Sequence, residues 1–212
     1  MTRVIRSLSA LVLVLMSVAC THSPQAATPS AAPSAKVADT KAALRDLWLG
    51  HILAIRNVAV ATMDKNPAAR EVAEKGVVTN AEQIARSVEP FYGKPASDKL
   101  FTLLAGHYGA IRDHLDATVA GNPTQQDAAM KQLTANAGEI ATFLSGANPY
   151  LPKDTVLGLL MAHAAHHITQ FQQLKAGEYA REAETWNGMK QHIYVVADAL
   201  TGALAKQFPN KF

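Results

Sequence analysis

Residues 44–56 read LRDLWLGHILAIR, and this stretch decides the fold because its apolar residues follow the period of an α-helix. Alternate spacings of four and three positions place these residues on one face of a helix. The face contains a histidine in the middle of the apolar series, whose members are Leu44, Trp48, His51, Ile55 and Val58. The pattern predicts a helix that buries His51 together with its apolar neighbours.

The same stretch recurs twice at a spacing of 56 residues. Residues 100–112 read LFTLLAGHYGAIR and share seven of thirteen positions with residues 44–56. Residues 156–168 read VLGLLMAHAAHHI. Leu47 and His51 recur there as Leu159 and His163, and a small residue, Ala162, stands in place of Gly50. Asn-Ala and Ile-Ala pairs within residues 80–85 recur within residues 136–141, so a second helix repeats as well.

This spacing predicts three related helical hairpins, at residues 40–95, 96–151 and 152–212. Each hairpin is too small to bury its apolar face alone and must pack against the others. No alternating strand pattern competes with this interpretation. We therefore expect an all-α fold, a helical bundle of about six helices formed by one domain over residues 40–212.

Several short signals predict where these helices begin. Asn66-Pro67 and Asn122-Pro123 match an N-cap followed by a proline in the first turn. Thr79 with Glu82 matches a capping box, which predicts a further helix start.

The first residues resemble a secretory signal peptide over residues 1–19. Arg3 and Arg6 precede an apolar run at residues 8–18, and the segment ends at Ala19-Cys20. Residues 17–20 read SVAC, which resembles a lipobox, so we expect lipidation of Cys20, with simple periplasmic release as the alternative. The protein is then exported to the cell envelope, with Thr21 favouring the outer membrane. Residues 20–39 are rich in Ala, Pro and Ser, which predicts a flexible tether.

Charge and cysteine content narrow the range of functions. Cleavage before Cys20 removes Arg3 and Arg6 and lowers the formal net charge from +3 to +1, which argues against a nucleic-acid partner. Cys20 is the only cysteine, so the chain cannot form an internal disulfide bond.

Histidines stand where the repeat would otherwise place core residues. His107 and His163 occupy the position of His51 in the second and third units. In the third unit alone, His167 replaces an isoleucine and His192 replaces an asparagine of the earlier units. Such breaks of a packing pattern concentrate at functional sites. His163 and His167 are four residues apart, so their rings share one helix face and can converge on one ion.

These residues predict a transition-metal site in the bundle core, for which the candidate ligands are His51, His107, His163, His167 and His192. Three or four imidazoles favour Zn, Cu or Ni over Mg or Ca. No general base is evident on the buried face, so we expect metal binding rather than catalysis. His114 lies towards the edge of the buried face, where a partly solvated histidine is expected. The alternative is a non-enzymatic envelope scaffold or interaction module, in which the histidines are hydrogen-bonded core residues.

Two resemblances add to these interpretations. The LWxxH segment at residues 47–51, the NPY segment at 148–150 and the KQFPxKF ending at 206–212 together resemble an uncharacterised family of small bacterial helical proteins. The segment from His163 to Gln170 is similar to the His-x-x-x-His-Arg-Gly-Gln segment of the DinB-like metal-binding helical bundles. That resemblance implies that His163 and His167 bind a divalent metal and that a histidine from another helix, here His51, completes the site.

Overall fold

Six long α-helices follow one another in the computed structural model, which describes residues 34–212. A one-turn helix at Glu89–Tyr92 lies between the second and third of them, another at Pro209–Lys211 follows the last, and residues 34–212 contain no strand. The expected all-α bundle of six helices is confirmed, and the bounds are α1 Ala35–Met63, α2 Pro67–Ser87, α3 Lys94–Ala120, α4 Pro123–Ala147, α5 Lys153–Ala176 and α6 Tyr179–Gln207.

The ends of the helices follow local capping chemistry. The side chain of Asn66 accepts a hydrogen bond from the Ala69 amide at 3.0 Å, and that of Asn122 accepts from the Gln125 amide at 3.1 Å. Both predicted N-caps are therefore confirmed. The predicted capping box at Thr79 is wrong, because α2 begins at Pro67 and continues through that position without interruption.

The first helix begins before the predicted start of the domain at residue 40. Ser34 caps α1 by accepting a hydrogen bond from the Val37 amide at 3.2 Å, and the helix runs from Ala35. Residues 35–39 contain neither proline nor glycine, so nothing stops the helix from extending into the predicted tether. The predicted signal peptide and Cys20 lie outside the described residues. Among the helices that the structure describes, none is both long and apolar enough to span a bilayer.

Three helices form the centre of the bundle. Helices α1, α3 and α5 contact one another, whereas α2 packs against α1 and α3, α4 against α3 and α5, and α6 against α5 and α1. The central helices are the ones that carry His51, His107 and His163, and all three side chains are buried. The prediction that these histidines face the core is confirmed.

A side-chain hydrogen bond to a backbone carbonyl of the preceding helix recurs at the same position of each outer helix. The donor–acceptor pairs recur at the spacing of 56 residues, with lengths of 3.0, 3.0 and 2.9 Å, and they are Asn80 Nδ2 to Leu47 O, Asn136 Nδ2 to Leu103 O and His192 Nε2 to Leu159 O. The first two need glycine nearby, since a Cβ at Gly50 or Gly106 would lie 3.2 or 3.1 Å from the asparagine nitrogen. The internal repeat itself stays a prediction.

Candidate metal centre

Three histidines meet at the centre of the bundle, and we call them the histidine triad. His51 comes from α1, whereas His163 and His167 come from successive turns of α5. One ring nitrogen of each lies within 4.8 Å of the ring nitrogens of the other two. A tetrahedral ion with bonds of 2.0–2.1 Å holds its nitrogens about 3.3 Å apart, so small rotations of the rings would close the triad around an ion.

The triad lies in a dry and crowded environment. The exposed fractions of His51, His163 and His167 are 5%, 2% and 1%. Their ring centroids are separated by 4.6 to 6.2 Å, and the indole ring of Trp48 lies edge-on to His51 at 5.8 Å. The rings are thus held in contact with one another and away from bulk water.

Most of the polar atoms of the triad lack a hydrogen bond. Within residues 34–212, no partner is found for Nδ1 of His51 or for either ring nitrogen of His163 and His167. Five of the six ring nitrogens are therefore buried and unpaired. Buried polar groups are nearly always hydrogen-bonded, so a group of this kind requires a physical explanation.

Burial keeps these imidazoles neutral. Loss of hydration and, to a lesser extent, the nearby His107 together lower the pKa of His51 to about 3. The pKa values of His163 and His167 fall well below the usual value, first because of burial and then because of the neighbouring histidines. Neutral imidazole is the form that binds metal ions, so the protein already holds the triad in its ligating state.

His107 lies beside the triad but is not part of it. Its ring stacks on that of His163 with 6.0 Å between the centroids. Because Asn136 Nδ2 donates to Leu103 O, its Oδ1 must accept the hydrogen bond of 3.2 Å from Nδ1–H of His107. Neutral His107 therefore keeps a lone pair on Nε2. Burial lowers its pKa to about 4.

The structure places His192, the fifth predicted ligand, outside the triad. Its Nε2–H donates to the carbonyl of Leu159 at 2.9 Å, as Asn80 and Asn136 donate in the other units. The ring packs against that of His166 at 5.6 Å. This histidine thus performs the structural role of the asparagines that it replaces.

His114 corrects an expectation from the sequence. A partly solvated residue was predicted there, yet its exposed fraction is 3% and the hydroxyl of Thr118 lies 3.3 Å from its Nδ1. The helix period alone places it at the edge of the buried face. The neighbouring helices cover that edge in the folded bundle, and periodicity carries no information about such cover.

The buried carboxylate of Glu182 on α6, which the sequence did not single out, pairs with the partly exposed Arg56 of α1. Both oxygens of Glu182 accept hydrogen bonds from Arg56 at 2.8 and 2.9 Å, and Gln170 Nε2 donates to the same carboxylate at 3.0 Å. The hydrogen bonds from Arg56 lower the pKa of Glu182. Among the described residues, the only group of side chains that could hold a metal ion consists of the three triad histidines, without a carboxylate.

Comparisons with known proteins add no independent assignment. No protein-family model, no curated protein and no solved structure matches the chain. The description of the site therefore depends on its geometry: three neutral, buried imidazoles, close enough to bind a metal ion, at the centre of an all-α bundle.

Proposed function

We propose that the protein is an exported helical bundle that binds a Zn- or Cu-class ion through His51, His163 and His167. In this proposal, residues 1–19 direct export and a lipid on Cys20 anchors the protein at the cell envelope. The observation that carries the proposal is the set of five buried ring nitrogens without a hydrogen-bond partner within residues 34–212.

The energetics of these nitrogens favour a ligand. A buried polar group that loses its partner costs about 1–3 kcal/mol, so an unliganded triad weakens the fold. An ion that coordinates one nitrogen of each ring would recover part of that loss. It would also link α1 to α5, two of the three central helices.

The ligand set favours particular metals. Neutral imidazole suits Zn, Cu and Ni, whereas Mg and Ca prefer oxygen ligands. The DinB-like bundles, which the α5 segment resembles, bind a divalent metal with two histidines from one helix and a third from another. With three protein ligands, a fourth coordination position stays open. The carboxylate of Glu182 is held by Arg56 and Gln170, so we propose binding rather than catalysis.

Two observations favour a second candidate, an envelope scaffold with structural histidines. His107 and His192 each have a hydrogen-bond partner, Asn136 Oδ1 and Leu159 O, as core histidines normally do. If the protein is a scaffold, the triad histidines are structural core residues as well, although five of their ring nitrogens have no hydrogen-bond partner within the described residues. Metal titration separates the two candidates.

The first test is a zinc titration, measured by calorimetry, of protein purified without a His-tag. We expect one zinc per chain. The His163→Leu variant should lose at least 100-fold in affinity, because it removes a ligand. His192→Asn should bind zinc as the wild type does, because asparagine makes the same bond to a carbonyl at Asn80 and Asn136. Wild-type protein that binds no zinc or copper would leave the scaffold as the function.

The lipid anchor is tested by the intact mass of protein extracted from membranes. We expect a chain that begins at Cys20 and carries acyl groups. The Cys20→Ser variant is the control and should appear without acyl groups in the soluble fraction. A mature wild-type chain without acyl groups, or one that begins after Cys20, would contradict the anchor and favour simple release into the periplasm.

A further inference from the structure

The orientation of the Asn80 side chain is set by the contact between α1 and α2. Its Nδ2 donates to the carbonyl of Leu47 at 3.0 Å, and a carbonyl can only accept, so the nitrogen and oxygen of this amide are distinguished. Asn80 is 8% exposed, and the absence of a side chain at Gly50 allows it to approach α1. The oxygen of Asn80 therefore has a defined direction.

Two side chains at this contact between α1 and α2 each carry an unpaired polar atom. Within the part of the chain that the structure describes, neither Asn80 Oδ1 nor His51 Nδ1 has a hydrogen-bond partner, and both are buried. The carboxamide of Asn80 lies against Gly50, the residue before His51, because its nitrogen is only 3.2 Å from where a Cβ on Gly50 would stand. One atom is an acceptor and the other is a donor in one of the two neutral tautomers of His51.

The second unit shows the same pair joined. Asn136 is anchored to Leu103 O at 3.0 Å, as Asn80 is anchored to Leu47 O, and its Oδ1 accepts from Nδ1–H of His107 at 3.2 Å. The two pairs occupy equivalent places in the two units and differ in whether this hydrogen bond is formed. The bond is thus sterically possible for this pair of residues.

We propose that Asn80 is the positioning residue of the metal site. When the ion binds, Asn80 Oδ1 accepts a hydrogen bond from Nδ1–H of His51, which selects one tautomer and directs the lone pair of Nε2 at the metal. Histidine ligands commonly donate their second ring N–H to an oxygen that orients the ring in this way. The inference rests on the proposed function, because it names the residue that orients one of the three ligands.

The third unit has no equivalent oxygen, which makes the role specific to His51. His192 stands where the asparagines stand and donates its Nε2–H to Leu159 O, so the third unit has no carboxamide at this repeat position. Both ring nitrogens of His163 lack a partner within residues 34–212. Of the triad, His51 alone has an asparagine at this repeat position.

The test compares two variants of Asn80, one that keeps an acceptor oxygen and one that has none. Asn80→Leu and Asn80→Asp both delete the nitrogen that donates to Leu47 O, and only Asp keeps an oxygen that can face His51. We expect Asn80→Leu to weaken zinc binding about 10- to 100-fold, the usual effect of removing such an oxygen. Asn80→Asp should bind within about threefold of the wild type or more tightly. Asn136→Leu, the matched control in the second unit, should also stay within about threefold.

A spectroscopic readout makes the test independent of stability. In zinc-loaded wild-type protein with ¹⁵N-labelled histidine, we expect NMR to show His51 protonated at Nδ1 and metal-bound at Nε2. Metal bound at Nδ1 would overturn the inference, and so would Asn80→Leu binding as the wild type does or Asn136→Leu losing as much. Wild-type protein that binds neither zinc nor copper would instead overturn the proposed function and the inference together.

Discussion

Lowering the pH from 7 to 5 should unfold much of the metal-free protein. Burial lowers the pKa of His51 to about 3 and that of His107 to about 4, and it holds those of His163 and His167 well below the usual value. In the unfolded chain, all four histidines titrate near the ordinary value of about 6.5. Below that pH, the unfolded chain binds more protons than the folded protein, so the free energy of unfolding falls with the pH.

The size of this effect approaches the stability of the whole domain. At pH 5, each histidine that is neutral when folded and protonated when unfolded contributes about 2 kcal/mol of destabilisation. Four such residues reach the order of 8 kcal/mol, against total stabilities of about 5–15 kcal/mol for ordinary domains. The loss should begin as the pH falls below about 6.5 and should continue down to the folded pKa values.

The measurement is urea unfolding followed by circular dichroism, at pH 7, 6 and 5, with a chelator present. Hydrogen bonds from Arg56 and Arg45 are the main cause that lowers the pKa values of Glu182 and Asp198. Protonation of these two carboxylates therefore reduces the free energy of unfolding only below about pH 4.5. The change in the free energy of unfolding between pH 7 and 5 therefore comes from the histidines. The control is the same series in excess zinc, in which coordination should delay the loss to lower pH. Equal stability at pH 7 and 5 without metal would contradict buried, neutral histidines.

The helices and the inward-facing histidines could be predicted from the sequence because both depend on local periodicity. The apolar stripe through His51 needs only the helix period, and the N-caps at Asn66 and Asn122 need only the next three residues. The extension of α1 back to Ala35 was missed because composition suggested a tether where the chain contains no helix breaker.

The convergence of particular histidines depends on packing between distant segments. The helical period suggested five candidate ligands, and the resemblance of the α5 segment to DinB-like bundles pointed to His51, His163 and His167 among them. The packing of α1 against α5 brings these three together. The structural bond of His192 and the ion pair of Arg56 with Glu182 join residues 33 and 126 positions apart. A helical period cannot specify such contacts, because it fixes the face of a helix and leaves its neighbours undetermined.

Replacing His167 with isoleucine should abolish metal-dependent stabilisation and leave the metal-free protein at least as stable as the wild type. Both ring nitrogens of His167 are buried without a partner in residues 34–212. Removal of the imidazole therefore leaves no other polar group in these residues without its hydrogen-bond partner. Isoleucine fills a similar volume and occupies the corresponding repeat position at Ile55 and Ile111, which are 2% exposed. The substitution therefore deletes a ligand while it restores a core residue.

For wild-type protein, free zinc at 1,000 times its Kd should add about 4 kcal/mol of stability, which corresponds to a rise in Tm of about 10 °C. Thermal unfolding with chelator and with zinc should show this shift for the wild type and for His192→Asn, which keeps the triad, but not for His167→Ile. If His167 is instead a satisfied structural residue, the metal-free variant should lose about 1–3 kcal/mol, and zinc should change neither protein. That result would favour the scaffold, because it would show that the His167 imidazole stabilises the core without an ion.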